Sequence, residues 1–341
     1  MVGIEDVARV AGVSSATVSR ALSGRGAVSD ATRARVHGAA RDLGYVVSSD
    51  ASSLASGRSR AVGVIIPFLG SWFYGAVIEG AQSALIARGY DLTLYNLGGA
   101  GGERRSFFEQ LLFRKRVDAM LAVSLEVTPA EVRRMHQMGR PIVCVGGPIP
   151  GLHTLSVDDV AASYAVTSHL TALGHRRIGH IAGGPGEYDF HLPRNRRVGY
   201  EKALREAGVA PDRSLVEAGD FTGRGGHDAA LRLLTRPDRP TAIFAASDEM
   251  AIGAIVAARE LGLRVPEDLS VVGFDDHEMA ALFELTTIAQ YPSDQGRQAV
   301  ELIMAELEPR RSERDVEGNL TMPFDLVVRG STAPPPPGGR A

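Results

Sequence analysis

The sequence predicts an all-α head, a hinge and a larger α/β body whose parallel sheets form two lobes. Three observations predict it. Residues 4–45 place apolar side chains at helical spacing around a glycine suited to a tight turn. Residues 48–57 are small, Ser-rich and poor in apolar side chains, which is the composition of a linker. From Ala61 onward, short apolar runs alternate with amphipathic stretches. A chain of 341 residues suits two to three domains. The expected boundaries are 1–46 for the head, 47–60 for the hinge and 61–330 for the body. The tail, 331–341, holds four consecutive prolines from Pro334 and is expected to be disordered.

In the head, Val7, Ala8 and Ala11 form one helical stripe, and Val18, Ala21 and Leu22 a second. Two helices that cross steeply over a short turn need a small residue at the crossing and positive φ in the turn. Ala8 and Gly12 supply these, while Val13 and Val18 fill the wedge between the helices. Ser14 is placed to cap the second helix, Ser29 and Asp30 open a third, and Gly44 stops it. The second helix then presents Ser15, Ala16, Thr17, Ser19 and Arg20. Such a helix fits the DNA major groove. Arg20 can address guanine bidentately, Ala16 can touch a thymine methyl, and the Ser and Thr hydroxyls with the helix N-terminus suit phosphate. The candidate DNA contacts are Ser14, Ser15, Ala16, Thr17, Ser19, Arg20 and Ser29. Spacing alone leaves a purely structural three-helix bundle open.

In the body, strands are expected at 62–67, 91–96, 119–124, 141–145, 177–182, 242–246 and 269–274. Helices fit between them, among them 73–88, 163–173, 196–207 and 249–261. Strands this continuously apolar imply parallel sheets covered on both faces. Two sets, about 61–158 and about 159–288, fit better than one.

Charge follows the same division. The net charge is −3, but residues 1–60 hold eight arginines against five carboxylates, so a basic head precedes an acidic body. Cys144 is the sole cysteine, which excludes an intrachain disulfide. No apolar run reaches membrane-span length, and the N-terminus lacks the pattern of a secretory signal, so a cytoplasmic location is expected. No phosphate-binding loop with a Gly-Lys pair, no G-x-S-x-G and no H-E-x-x-H occurs. The run Gly98-Gly99-Ala100-Gly101-Gly102 does not match the dinucleotide fingerprint. Neither catalysis, nor a cofactor, nor a metal site is expected.

The residues themselves resemble a known family. Asp6-Val7-Ala8, Ala11-Gly12-Val13-Ser14, Thr17-Val18-Ser19-Arg20, Val28-Ser29 followed by Thr32-Arg33, and Leu43-Gly44-Tyr45 are similar to the head of the lac-repressor/gal-repressor (LacI/GalR) family. Farther on, Leu54-Ala55-Ser56-Gly57-Arg58-Ser59, Val62-Gly63-Val64-Ile65-Ile66-Pro67, Leu173-Gly174-His175, Ala246-Ser247-Asp248-Glu249 and Val271-Val272-Gly273-Phe274-Asp275-Asp276 continue the resemblance over nearly the whole chain.

The resemblance implies a repressor that binds palindromic operator DNA as a homodimer and answers to a small molecule, a sugar or related metabolite. It implies a hinge leucine, here Leu54, wedged into the minor groove. It also implies a two-lobed body similar to periplasmic binding proteins. Lobe one would take about 61–158 with 289–319, and lobe two about 159–288 with 320–330. Ligands of such sheets sit beyond the carboxyl ends of the strands. There the candidates for effector binding are Phe73, Ser124, Arg196, Phe221, Ser247 and Asp275. Arg196 is preferred to Arg197 by its offset to Gly199, and Asp248 is expected to cap the helix that follows it.

Three departures from the family pattern stand out. Pro, Asn and Arg are absent at Val47, Ser48 and Ser52, Gly146 stands where several members carry an acid, and Ser247 where some carry Asn. A cytoplasmic solute-binding module without operator specificity is the alternative reading.

Overall fold

Gly12 and Gly44 set the geometry of the head. The structure, a computed structural model, describes residues 2–23, 27–45, 58–98, 102–112, 114, 116–149, 151–184, 191–307 and 319–336. Helix α1 (Ile4–Ala11) ends at Gly12, whose φ of 65° lets the Val13 N–H return to the Ala8 carbonyl. Helix α2 (Ser15–Ser23) follows at once, and α3 (Asp30–Asp42) is capped by Ser29. Val7, Ala8, Val18, Ala21, Val36 and Ala40 form the buried core of these three helices. Arg33 reaches back and donates to the Ala21 carbonyl near the end of α2.

In the body, the first sheet orders β11 (Asn319–Met322), β5 (His153–Val157), β4 (Ile142–Val145), β3 (Ala119–Val123), β1 (Ala61–Ile66) and β2 (Asp91–Asn96). The pairs β1/β3, β3/β4, β4/β5 and β5/β11 are parallel. Helices α4 (Trp72–Ile86), α5 (Gly102–Ser106) and α6 (Pro129–Gln137) lie between these strands in sequence. The central strands β1, β3 and β4 are buried along their whole length, as a sheet covered on both faces requires.

The second sheet orders β7 (Val216–Ala218), β6 (Ile178–Ala182), β8 (Ala242–Ala245) and β9 (Ser270–Val272), all parallel. Its helices are α7 (Asp159–Ala172), α8 (His191–Glu206), α9 (Gly223–Leu234) and α10 (Asp248–Glu260). A two-stranded antiparallel ribbon, β10 (Thr287–Ala289) with β12 (Asp325–Val327), carries the chain between the lobes on either side of α11 (Pro292–Leu307).

Four expectations need correction. Residues 320–322 belong to lobe one, because β11 pairs with β5; the chain returns to lobe two only at β12. Helix α8 starts at His191 rather than at 196, since Pro193 in a first turn surrenders no helical hydrogen bond. Ser247, not Asp248, caps α10, with the Met250 N–H donating to its hydroxyl.

The tail, finally, is bonded as far as Ala333. The Ser331 hydroxyl donates to the Val271 carbonyl at 2.6 Å, the Val271 N–H donates to the Ser331 carbonyl at 2.9 Å, and the Ala333 N–H donates to the Ser270 hydroxyl at 3.0 Å. Residues 331–333 thus lie along β9, the edge strand of the second sheet. The proline run that predicts disorder begins only after these bonds.

Candidate DNA-reading and effector sites

Helix α2 buries Val18 against the head's core and leaves the opposite side to solvent. Ala16, Ser19 and Arg20 are exposed, and Ser15 and Thr17 are half-buried. Ser14 is the cap: the Thr17 N–H donates to its hydroxyl at 3.2 Å, and the two hydroxyls lie 2.9 Å apart. Arg20 folds back so that its Nε donates to the Ala16 carbonyl at 3.2 Å. Ser29 does for α3 what Ser14 does for α2, accepting from the Thr32 N–H at 3.3 Å. Leu54 lies outside the described residues, as does most of the hinge.

In the body, one cavity of about 200 Å³ lies between the lobes. Phe73, Ser124, Arg196, Phe221, Ser247 and Asp275 all line it. They come from different elements. Phe73 sits in the first turn of α4, Arg196 in α8, and Ser124, Phe221, Ser247 and Asp275 just beyond the carboxyl ends of β3, β7, β8 and β9. Parallel strands end on the same side, so residues far apart in sequence converge there.

The backbone at the site is unusual. Among the described residues, eight non-glycine positions have positive φ, and four of them line this cavity: Ser124 (43°), Asp220 (52°), Phe221 (52°) and Asp275 (129°). Backbone of this kind is costly and clusters at functional sites. The Ser124 hydroxyl is buried and makes no hydrogen bond, leaving an unspent donor and acceptor at the wall. Gly146, at φ 109°, faces it. A Cβ there would come within 2.8 Å of the Ser124 Oγ, so an acidic side chain at 146 would collide with the serine.

Arg196 is 4% exposed. Its Nε donates to Asp159 at 2.8 Å, its Nη1 donates to the Ala246 carbonyl, and its guanidinium stacks 3.6 Å above the Phe274 ring. Arg197, its rival in the sequence, instead pairs with Glu201 on the surface. Asp159 is a site residue that sequence reasoning missed. The doublet Asp158-Asp159 was the available signal: Asp158 caps α7 through the Ala161 N–H, which leaves the second carboxylate for another task. Burial pushes the Asp159 carboxyl up, and the Arg196 charge opposes that shift.

Asp275 takes a hydrogen bond from the Gln290 amide, and the Gln295 amide in turn donates to the Gln290 carbonyl at 2.6 Å. Burial pushes the Asp275 carboxyl well above the usual range, and Arg196 opposes this. Tyr74, which lines the same cavity from lobe one, has its hydroxyl pushed up by burial and then by the Asp275 charge. Gln290 and Gln295 were also missed. Gln290 directly follows β10 and Gln295 lies in the first turn of α11, neither of them at a strand expected from the sequence.

The arrangement presents two aromatic faces, Phe73 from lobe one and Phe221 from lobe two. In its walls stand a buried guanidinium, a carboxylate and hydroxyls. That is the equipment to hold a small ring with polar edges.

Residues 3–48 match the model for bacterial regulatory proteins of the lacI family, and residues 167–332 match the periplasmic binding protein-like domain. The HTH-type transcriptional repressor CytR of Escherichia coli (strain K12) is 35% identical over 334 residues, covering 96% of each chain. The chain belongs to the LacI family. The HTH-type transcriptional repressor PurR of Vibrio vulnificus (strain CMCP6) is 32% identical over 96% of this chain and 98% of its own. Among solved structures, the Lac repressor dimer bound to operator and the anti-inducer ONPF aligns with a TM-score of 0.85 at 27% identity, covering 97% of this chain and 99% of that one. The transcriptional regulator CelR–cellobiose complex aligns at 0.71 and 32% identity, covering 97% and 100%. Like its family, this chain is a sequence-specific DNA-binding regulator of transcription under small-molecule control. Among the described residues, no helix is long and apolar enough to cross a membrane.

Proposed function

We propose that the chain is a cytoplasmic, homodimeric repressor that places α2 in the major groove of each half of a palindromic operator. It is a switch and not a catalyst, with no cofactor. Ser15, Ala16, Thr17, Ser19 and Arg20 face the bases, Arg20 as the chief reader of guanine. Ser14 and Ser29 hold phosphate, and Leu54 wedges the minor groove at the operator centre. The cavity takes the effector, a sugar or related ring-bearing metabolite, between Phe73 and Phe221, with Arg196, Asp275, Ser124 and Ser247 on its polar edges. The observation that carries this assignment is the unspent, buried Ser124 hydroxyl at the wall of a cavity built from strained residues.

The test is a thermal-shift screen of sugars, nucleosides and other metabolites on the full chain, followed by gel shifts on candidate operators with each stabilising compound. The expected result is at least one compound that raises the melting temperature and changes operator affinity. Effector-insensitive operator binding overturns the switch. Loss of residues 1–60 without effect on every measured property would establish the solute-binding module instead.

A further inference from the structure

Two helices that furnish the ligand cavity each take a carboxylate from the opposite lobe on an N–H at their start. Helix α4, which carries Phe73 and Tyr74, starts at Trp72 after Ser71, which makes no cap hydrogen bond to the helix. The Trp72 N–H instead donates at 2.9 Å to Glu249 Oε1, in the first turn of α10 in lobe two. Helix α8, which carries Pro193 and Arg196, starts at His191. Its first N–H donates at 2.7 Å to Glu126 Oε1, from the loop after β3 in lobe one. The exchange is reciprocal: each lobe lends one carboxylate to the other's ligand helix.

Ring contacts reinforce both points. His277 of lobe two packs against the Trp72 indole at 4.9 Å between centroids. The His191 imidazole lies 3.7 Å from Glu126 Oε2. A carboxylate at a helix N-terminus satisfies an orphan N–H and complements the macrodipole. Neither bond survives separation of the lobes.

We infer that Glu126 and Glu249 are positioning residues that latch the two lobes closed and, in the same act, fix the ligand-bearing first turns of α4 and α8. The inference rests on reading the cavity as the effector site. It adds that closure and site order are one equilibrium, so a perturbation at either latch loosens both.

Trp72 is the sole tryptophan in the chain and sits at one latch, so its quenching by acrylamide reports opening. Full-length protein without any added effector is compared with Glu249→Ala and Glu126→Ala. Loss of one charge-assisted cap shifts the closed-to-open ratio about tenfold, or about 1.4 kcal/mol. Both variants are expected to raise Trp72 quenching, although among the described contacts none joins Glu126 to Trp72. Glu126→Gln, whose amide oxygen still accepts, is expected to restore part of the protection.

Unchanged quenching in Glu126→Ala overturns the latch, since Glu249 would then only cover the indole locally. So does a Glu126→Gln protein as open as the alanine variant. Circular dichroism and gel filtration check folding, and if Glu249→Ala does not fold, the two Glu126 variants decide the matter alone. Because no effector is added, a wrong assignment of the cavity leaves the quenching result intact and shows itself only in the ligand screen.

Discussion

The buried pair Arg196–Asp159 separates scaffold from reader at the cavity. Substitution of Arg196 by Met keeps much of the volume but removes Nε from Asp159, Nη1 from the Ala246 carbonyl and the cation from above Phe274. The stranded group is the Asp159 carboxylate, which is 6% exposed. Breaking a buried pair by removing one partner costs about 3–5 kcal/mol, most of it the penalty of the charge left behind. Adding Asp159→Asn removes that charge, so the double variant should retain a deficit of only about 1–3 kcal/mol, the cost of an unsatisfied buried polar group. Urea denaturation followed by circular dichroism measures all three variants and closes a double-mutant cycle. A cost below about 1 kcal/mol for Arg196→Met, or a double variant no more stable than that single one, would refute the reasoning. Arg196 would then serve the cavity as a ligand hand alone and not also as a strut.

Three further outcomes are expected. Gly183→Ala sets a methyl 2.2 Å from Phe221 Cε2, so the ring must leave its place; affinity for the best ligand of the screen should fall about tenfold or more with unliganded operator binding retained. Burial pushes the Asp248 carboxyl up to about 7, so the folded state holds a proton that the unfolded chain has released. Its contribution is therefore full below the ordinary carboxylate value and is lost as pH rises through about 7, at up to about 1.4 kcal/mol per pH unit; melting temperatures against pH should flatten over that window in Asp248→Asn. Ser29→Ala removes the cap of α3 and should cost the head about 1 kcal/mol, read by hydrogen exchange in the first turn of that helix.

The head was nearly all legible in the sequence because its determinants are local. Ala8, Gly12, Ser14, Val18 and Ser29 act within a few residues of their own positions, and each stands where its chemistry requires. The six effector candidates converge on one cavity because strand ends are legible from apolar runs and topology brings such ends together. What escaped depends on long-range return of the chain. Asp159 acquires its role only when α8 brings Arg196 to it, and Gln290 and Gln295 only when the crossing after β10 passes under Asp275. Short strands such as β7, with three half-buried residues, leave no periodic trace. Ser247 and Asp248 are neighbours, and composition does not tell which one caps. The geometry gives the cap to Ser247 and turns Asp248 toward the Thr287 hydroxyl and the His277 N–H.

The bonded residues 331–333 bear on how the protein is made. Strand β9 is the rim of the second sheet, and its Ser270 is bonded to Ala333, sixty-three residues farther along. At synthesis rates of about 5–20 residues per second, that separation leaves the rim bare for roughly 3–13 s after β9 is made. A bare rim is a template for pairing with another chain. The lobe that holds Arg196, Phe221 and Asp275 thus completes its edge among the last of its acts. A chain cut short at residue 330 should therefore be more prone to aggregation than one cut at 336, although the two differ by only six residues.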